Sequence, residues 1–114
     1  DDEEMLHTVT AISGSGPAYV FYFIESMQQA GIELGLTPKQ ARQLSLQTFV
    51  GASELASLSD EDAATLRTRV TSKGGTTEQA IQVMEKNDVK SKIMAAINAA
   101  SERSKEMSNE FSKL

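Results

Sequence analysis

Ser13-Gly14-Ser15-Gly16-Pro17-Ala18-Tyr19-Val20-Phe21-Tyr22-Phe23-Ile24 decides the architecture of this chain. The Ser-Gly-Ser-Gly-Pro run breaks one helix and restarts another, because Ser15 or Gly16 can cap and Pro17 suits the first helical position. A kinked helix pair follows from that break. Beyond it, Tyr19 to Ile24 are consecutively apolar and carry four of the chain's six aromatics, which comprise two Tyr and four Phe. A helix apolar on every face must be buried on every face, and in a chain of 114 residues that cover is expected from a second subunit. The start of this helix is the first candidate for a dimer interface.

Working outward, the dominant period is helical. Residues 3 to 12 form a short helix with Met5, Val9 and Ile12 on one stripe and acids in its first turn. The restarted helix runs from Ala18 to about Leu34, and Gly35 reads as its C-terminal cap. Thr37-Pro38 opens the next helix, to about Leu58, with Ala41, Leu44, Thr48, Ala52 and Leu55 on one stripe. Gly51 inside it costs about 1 kcal/mol against alanine and so suggests close helix packing. Ser59-Asp60-Glu61-Asp62 starts a short helix to Val70, with acids where the dipole favours them. Glu78 to about Lys86 forms another, and Asn87-Asp88 starts the last. That final helix repeats Val89, Ile93, Ala96, Ala100, Met107 and Phe111, a heptad-like seam with small residues for close approach. No strand-like alternation, internal repeat or low-complexity segment appears. The expected fold is all-α: six helices, a kinked first pair, and an interlocked helical homodimer.

Composition narrows the function classes. A formal net charge of −5 opposes binding to nucleic acid or anionic lipid, so neither is an expected partner. With no cysteine there is no disulfide framework and no thiolate ligand or nucleophile, which fits a reducing cytoplasm. A single histidine rules out a His-based metal cluster, and no metal site is expected. No apolar run approaches the roughly 20 residues of a membrane span. The chain opens at Asp1 without a methionine, as a piece of something longer would.

The candidate chemistry sits at Arg69-Val70-Thr71-Ser72-Lys73-Gly74-Gly75-Thr76-Thr77-Glu78-Gln79-Ala80-Ile81. Gly74 and Gly75 permit positive φ and close ligand approach, and Thr76 and Thr77 place hydroxyls beside the unpaired N–H groups of a helix start. Such a start favours a carboxylate or phosphate. The same letters also make an ordinary loop, N-cap and capping box, and the residues alone leave both readings open. Other motifs fail. Gly14-Ser15-Gly16-Pro17 lacks a preceding strand, and Tyr19 stands where a dinucleotide fingerprint needs a small residue. Lys73 lies on the wrong side of the glycines for a phosphate loop. His7 has no histidine or cysteine companion and reads as a solvated or capping side chain, while Glu3, Glu4 and the acids at 60 to 62 read as helix starts.

Two separated motifs nevertheless carry a resemblance. Ala11-Ile12-Ser13-Gly14-Ser15-Gly16-Pro17-Ala18-Tyr19, followed after two helices by Val70-Thr71-Ser72-Lys73-Gly74-Gly75-Thr76-Thr77, is similar to the C-terminal domain of the pyrroline-5-carboxylate reductases. The likeness covers nearly the whole chain. It implies an enzyme that reduces 1-pyrroline-5-carboxylate to L-proline with NADPH or NADH in proline biosynthesis. It also implies that residues 1 to 114 are the dimerisation and substrate-binding domain, without the Rossmann domain that binds NADP or NAD. By the same resemblance, Ser72, Gly74, Gly75 and Thr76 frame the substrate carboxylate, Val70 is a further substrate-binding residue, and Thr77 is the catalytic candidate, its hydroxyl near the ring nitrogen. Glu3 corresponds by spacing to an acid that pairs with the imine. Arg69 stands where some members have asparagine near the cofactor, and Lys73 where many have proline. The implied partners are a second copy, as a dimer or a larger assembly, and a small imino acid. A different class of reading is a purely structural helical dimerisation module, or a domain of a related imine reductase.

Overall fold

The computed structural model describes residues 1–112. Its elements are α1 (Asp2–Val9), a π-helical turn (Thr10–Gly14), α2 (Gly16–Glu33), α3 (Pro38–Leu58), α4 (Ala63–Arg69), α5 (Thr76–Lys86) and α6 (Val89–Ser112). There is no strand among the described residues, and the all-α expectation holds. No described helix is long and apolar enough to cross a membrane. The chain divides into two compact units, one comprising Asp1–Val20 and the chain from Gln82 onward, the other Phe21–Ile81.

In the first unit, Asp1 caps α1 by accepting the Glu4 N–H at 2.8 Å, and Asp2, Glu3 and Glu4 fill the first turn where the dipole favours acids. The Ser-Gly-Ser-Gly-Pro run separates two helical segments as expected, Ser15 standing between a turn that ends at Gly14 and α2, which restarts at Gly16, but the first segment ends in an unexpected π form. Helical bonding there takes a wider form, the Ser15 N–H donating five residues back to the Thr10 carbonyl at 2.8 Å. The π turn takes up a change of register just ahead of Pro17, which has no N–H to continue the ladder. Within that turn Ala11 is 1% exposed, and its carbonyl accepts the Tyr19 hydroxyl at 2.9 Å. The phenol thus ties the start of α2 back onto the turn.

Helix α6 packs against both the π turn and α1. Ala100, Ser101, Ser104 and Ser108 lie half-buried on one of its faces, small enough for close approach. His7 is not the solvated residue its isolation in sequence suggests: its Nδ1 shares a hydrogen bond with Ser104 Oγ at 2.8 Å, joining α1 to α6. One turn earlier, Glu4 meets Lys105 Nζ at 3.0 Å. The hydrogen bond and charge of Lys105 hold the Glu4 carboxyl below the usual glutamate range, and Glu4 with Glu102 raises the Lys105 ammonium. By contrast, the heptad seam of α6 is largely uncovered, with Ile93, Met107 and Phe111 all exposed.

In the second unit, α2 ends in a Schellman motif. The Leu36 N–H reaches the Gly31 carbonyl and the Gly35 N–H the Ile32 carbonyl, both at 3.0 Å, with Gly35 at φ +111°. Thr37 then opens α3 with a reciprocal capping box to Gln40 and Pro38 in the first turn. The two helices run antiparallel: Phe23 meets Phe49 edge-on at 5.5 Å, and a Cβ on Gly31 would lie 3.4 Å from Cβ of Ala41. Of the expected stripe only Ala41 is buried, at 1% exposed, joined by Ser45 at 4%, while Leu44 and Leu55 are exposed. Small residues win because Gly31 lets the backbones close in. Within this chain nothing lies within 4 Å of a would-be Cβ on Gly51. Asp62 caps α4 through the Thr65 N–H at 2.9 Å, which holds its carboxyl below the usual range.

Replacing Tyr19 with Phe leaves the Ala11 carbonyl, on a nearly inaccessible residue, without its hydroxyl donor. We expect Tyr19→Phe to lower unfolding stability in urea by about 1 kcal/mol with an unchanged m value. A midpoint equal to wild type would remove the tether from the account of this turn.

Candidate functional site

Helix α4 ends at Arg69, with Val70 closing it in a non-helical conformation. The loop from Thr71 to Gly75 then turns the chain into α5, which begins at Thr76, two residues earlier than the sequence reading places it. The turn is defined by the Gly75 N–H donating to the Ser72 carbonyl at 3.0 Å. Gly74 has φ +76°, and Lys73 is not among the non-glycine residues at positive φ. A four-residue turn with positive φ at its third position alone is type II, which requires glycine there and favours proline at the second position. Lys73 occupies that second position. Gly75 is needed for a different reason: a Cβ on it would meet the Ser72 carbonyl oxygen at 3.2 Å.

The donors of this loop divide into two sets. The Gly75 N–H serves the turn, and the Gly74 N–H donates to Glu78 Oε1 at 3.0 Å. Both glycine amides are therefore engaged within the chain. The first intrahelical bond of α5 runs from the Gln79 N–H to the Gly75 carbonyl, so the Thr76, Thr77 and Glu78 amides precede the ladder and have no backbone acceptor. Neither the Thr76 nor the Thr77 hydroxyl makes a hydrogen bond within the described residues, and both side chains are exposed. Two or three open amides at the positive end of an eleven-residue helix, flanked by two free hydroxyls, suit a small carboxylate.

Six of the sequence candidates, Val70, Ser72, Gly74, Gly75, Thr76 and Thr77, are thus gathered on one turn and helix start. Arg69 stands just ahead of them, its guanidinium folded back along α4 onto the Glu61 carboxylate. Glu3 belongs to the other unit, exposed in the first turn of α1, with no ion pair or side-chain hydrogen bond among the described residues. No group of His, Cys, Asp or Glu among the described residues is arranged to hold a metal ion. Glu78 was readable in sequence only as part of a capping box. The structure shifts its bond one residue upstream of the cap, because Ser72 has taken the Gly75 amide.

The family model for pyrroline-5-carboxylate reductase dimerisation matches residues 3–107. The chain belongs to that family. A pyrroline-5-carboxylate reductase from Pseudomonas aeruginosa is 46% identical over 111 residues, covering 97% of this chain and 41% of the relative. One from Arabidopsis thaliana is 40% identical over 94% of the chain and 39% of its own length. Among solved structures, a Plasmodium falciparum pyrroline carboxylate reductase with NADP bound has a TM-score of 0.89 at 42% identity, covering 92% of this chain and 40% of that one. The Streptococcus pyogenes enzyme retains a TM-score of 0.88 at 27% identity over 91% of this chain. The chain spans about two fifths of the length of these relatives.

Family members with proline at the position of Lys73 fit the type II geometry, whose second position proline pre-sets. The Lys73 N–H makes no hydrogen bond among the described residues, so proline would cost none. We expect Lys73→Pro to raise stability by about 0.4–1 kcal/mol in chemical denaturation. A destabilised variant would show that the turn is not type II.

Proposed function

We propose that this chain is the C-terminal dimerisation and substrate-binding domain of a pyrroline-5-carboxylate reductase, acting in proline biosynthesis in the cytoplasm. The observation that carries the reading is the helix start at Thr76, whose open amides and hydroxyls match a small imine bearing a carboxylate. The substrate carboxylate accepts from the Thr76 and Thr77 amides, with the Ser72 hydroxyl beside them and the glycine pair shaping the turn. Val70 lines the approach. The Thr77 hydroxyl faces the ring nitrogen and orients the proton that this atom holds as the adjacent carbon is reduced. Glu3 is the candidate counter-charge to the iminium.

The described residues do not fit the nicotinamide cofactor, NADP or NAD. No strand is present to build a βαβ crevice, and Arg69, the only cofactor candidate, has its guanidinium on Glu61. Cofactor binding is therefore assigned to the rest of the enzyme, and residues 1–114 alone should show no reductase activity. A second copy is the proposed partner. Phe21, Tyr22, Ile93, Met107 and Phe111 are all exposed, and large apolar side chains left open in this way mark an interaction surface.

Sedimentation equilibrium of the 114-residue chain at micromolar concentration should give a dimer, and a monomer would contradict the interlocked reading. In the complete enzyme, 1-pyrroline-5-carboxylate should drive oxidation of NADPH or NADH. Thr77→Ala should reduce kcat about a hundredfold with little change in the unfolding midpoint. Absence of substrate-dependent oxidation by wild type would leave the structural-module reading. An unchanged rate in the variant would remove Thr77 from the mechanism.

A further inference from the structure

The site reading above assigns no role to Glu78, yet Glu78 makes the one side-chain hydrogen bond in the loop that reaches a glycine amide. A type I and a type II turn over the same four residues differ chiefly in the orientation of the middle peptide, here the Lys73–Gly74 bond. The N–H of that peptide belongs to Gly74, and it donates to Glu78 Oε1 at 3.0 Å. Glu78 sits third in α5, where a carboxylate is favoured by the helix dipole and can reach back across the turn. Its side chain is half-buried, whereas Gln79 and Ala80 beyond it are exposed.

We propose that Glu78 is a positioning residue for the substrate carboxylate: by holding the Gly74 amide it locks the Ser72–Gly75 turn in the form that leaves the Thr76 and Thr77 amides open. This rests on the reading of the helix start as the carboxylate site. The lock works through the acceptor oxygen rather than the charge. A negative carboxylate close to an incoming anion opposes binding, so the charge is a cost tolerated for the sake of the geometry. Loss of the acceptor frees the middle peptide to flip, misplaces the helix start against the turn, and weakens substrate binding without touching the reacting atoms.

Two variants separate these effects. Glu78→Met keeps the aliphatic stem and the helix propensity but has no oxygen acceptor. Glu78→Gln keeps the acceptor and removes the charge. In steady-state assays of the complete enzyme, Glu78→Met should raise KM for 1-pyrroline-5-carboxylate about tenfold with kcat within about twofold of wild type. Glu78→Gln should hold KM at or below the wild-type value. In the 114-residue chain, the Gly74 amide should exchange with solvent about tenfold faster in Glu78→Met and at the wild-type rate in Glu78→Gln. An unchanged KM in Glu78→Met, or Glu78→Gln as impaired as Glu78→Met, overturns the proposal. If wild type fails to turn over this substrate, the function reading falls instead. Gly74 exchange unchanged in Glu78→Met would then refute the lock on its own.

Discussion

Apolar side chains that the chain does not itself cover are the constraint on which this structure turns. Among the described residues the buried apolar positions are Ala11 and Ala41, and no large side chain is fully buried. Short helices in water owe most of their stability to packing of an apolar face, so helices with faces this open cannot stand by propensity and caps alone. What packing the chain does make relies on small residues: Gly31 against Ala41 in one unit, and the alanine and serine face of α6 in the other. The large residues, Phe21, Tyr22 and Phe111 among them, are left for something else to cover. A family defined by dimerisation is what such a distribution of sizes calls for, with close backbone contact inside the chain and bulky side chains held outward.

The caps of this fold were legible because capping is local chemistry. Thr37-Pro38 with Gln40, Gly35, and Asp62 each satisfy groups within a few residues of themselves, and the structure places them accordingly. Features that depend on a distant partner were not legible. His7 is alone in sequence, and only the fold brings Ser104, ninety-seven residues away, to its ring. The stripe on α3 was right at Ala41 and wrong beyond it, because periodicity follows the large apolar residues, whereas the contact with α2 uses the small ones, Ala41 and its neighbour one turn on, Ser45. The π turn escaped for another reason. Ser-Gly-Ser-Gly-Pro is a breaker by composition and the helix does break at Ser15, but the turn before the break closes by adding one residue to the ring, and no propensity scale carries that option.

The turn and helix start of the candidate site were legible in its letters, and the pairing of its amides was not. Glycine, threonine and a following helix left an anion site and an ordinary capped loop both open, and it was the resemblance to a known family that singled out these residues. The sequence could not tell which amides would be free. That depends on two bonds, Gly75 to Ser72 and Gly74 to Glu78, which together engage both glycine amides within the turn and leave the threonine amides without an acceptor among the described residues. Steric and conformational demands divide the pair further: Gly74 is fixed by its positive φ, and Gly75 by the carbonyl its Cβ would strike.

Electrostatics set the remaining problem. The carboxylate-bearing substrate proposed above would approach a chain of formal net charge −5, and at ordinary ionic strength that repulsion is screened beyond about 8–10 Å. Affinity must then come from the last few ångströms. In the loop itself Arg69 is neutralised by Glu61 and the Glu78 carboxylate is turned onto an amide, while Lys73 makes no ion pair among the described residues. Lys73 sits at the second position of the turn, the place where proline would stiffen the backbone. On the proposed reading of this helix start, proline there would serve by lowering the entropy of the turn and lysine by placing a local positive charge next to the candidate site in a negative protein.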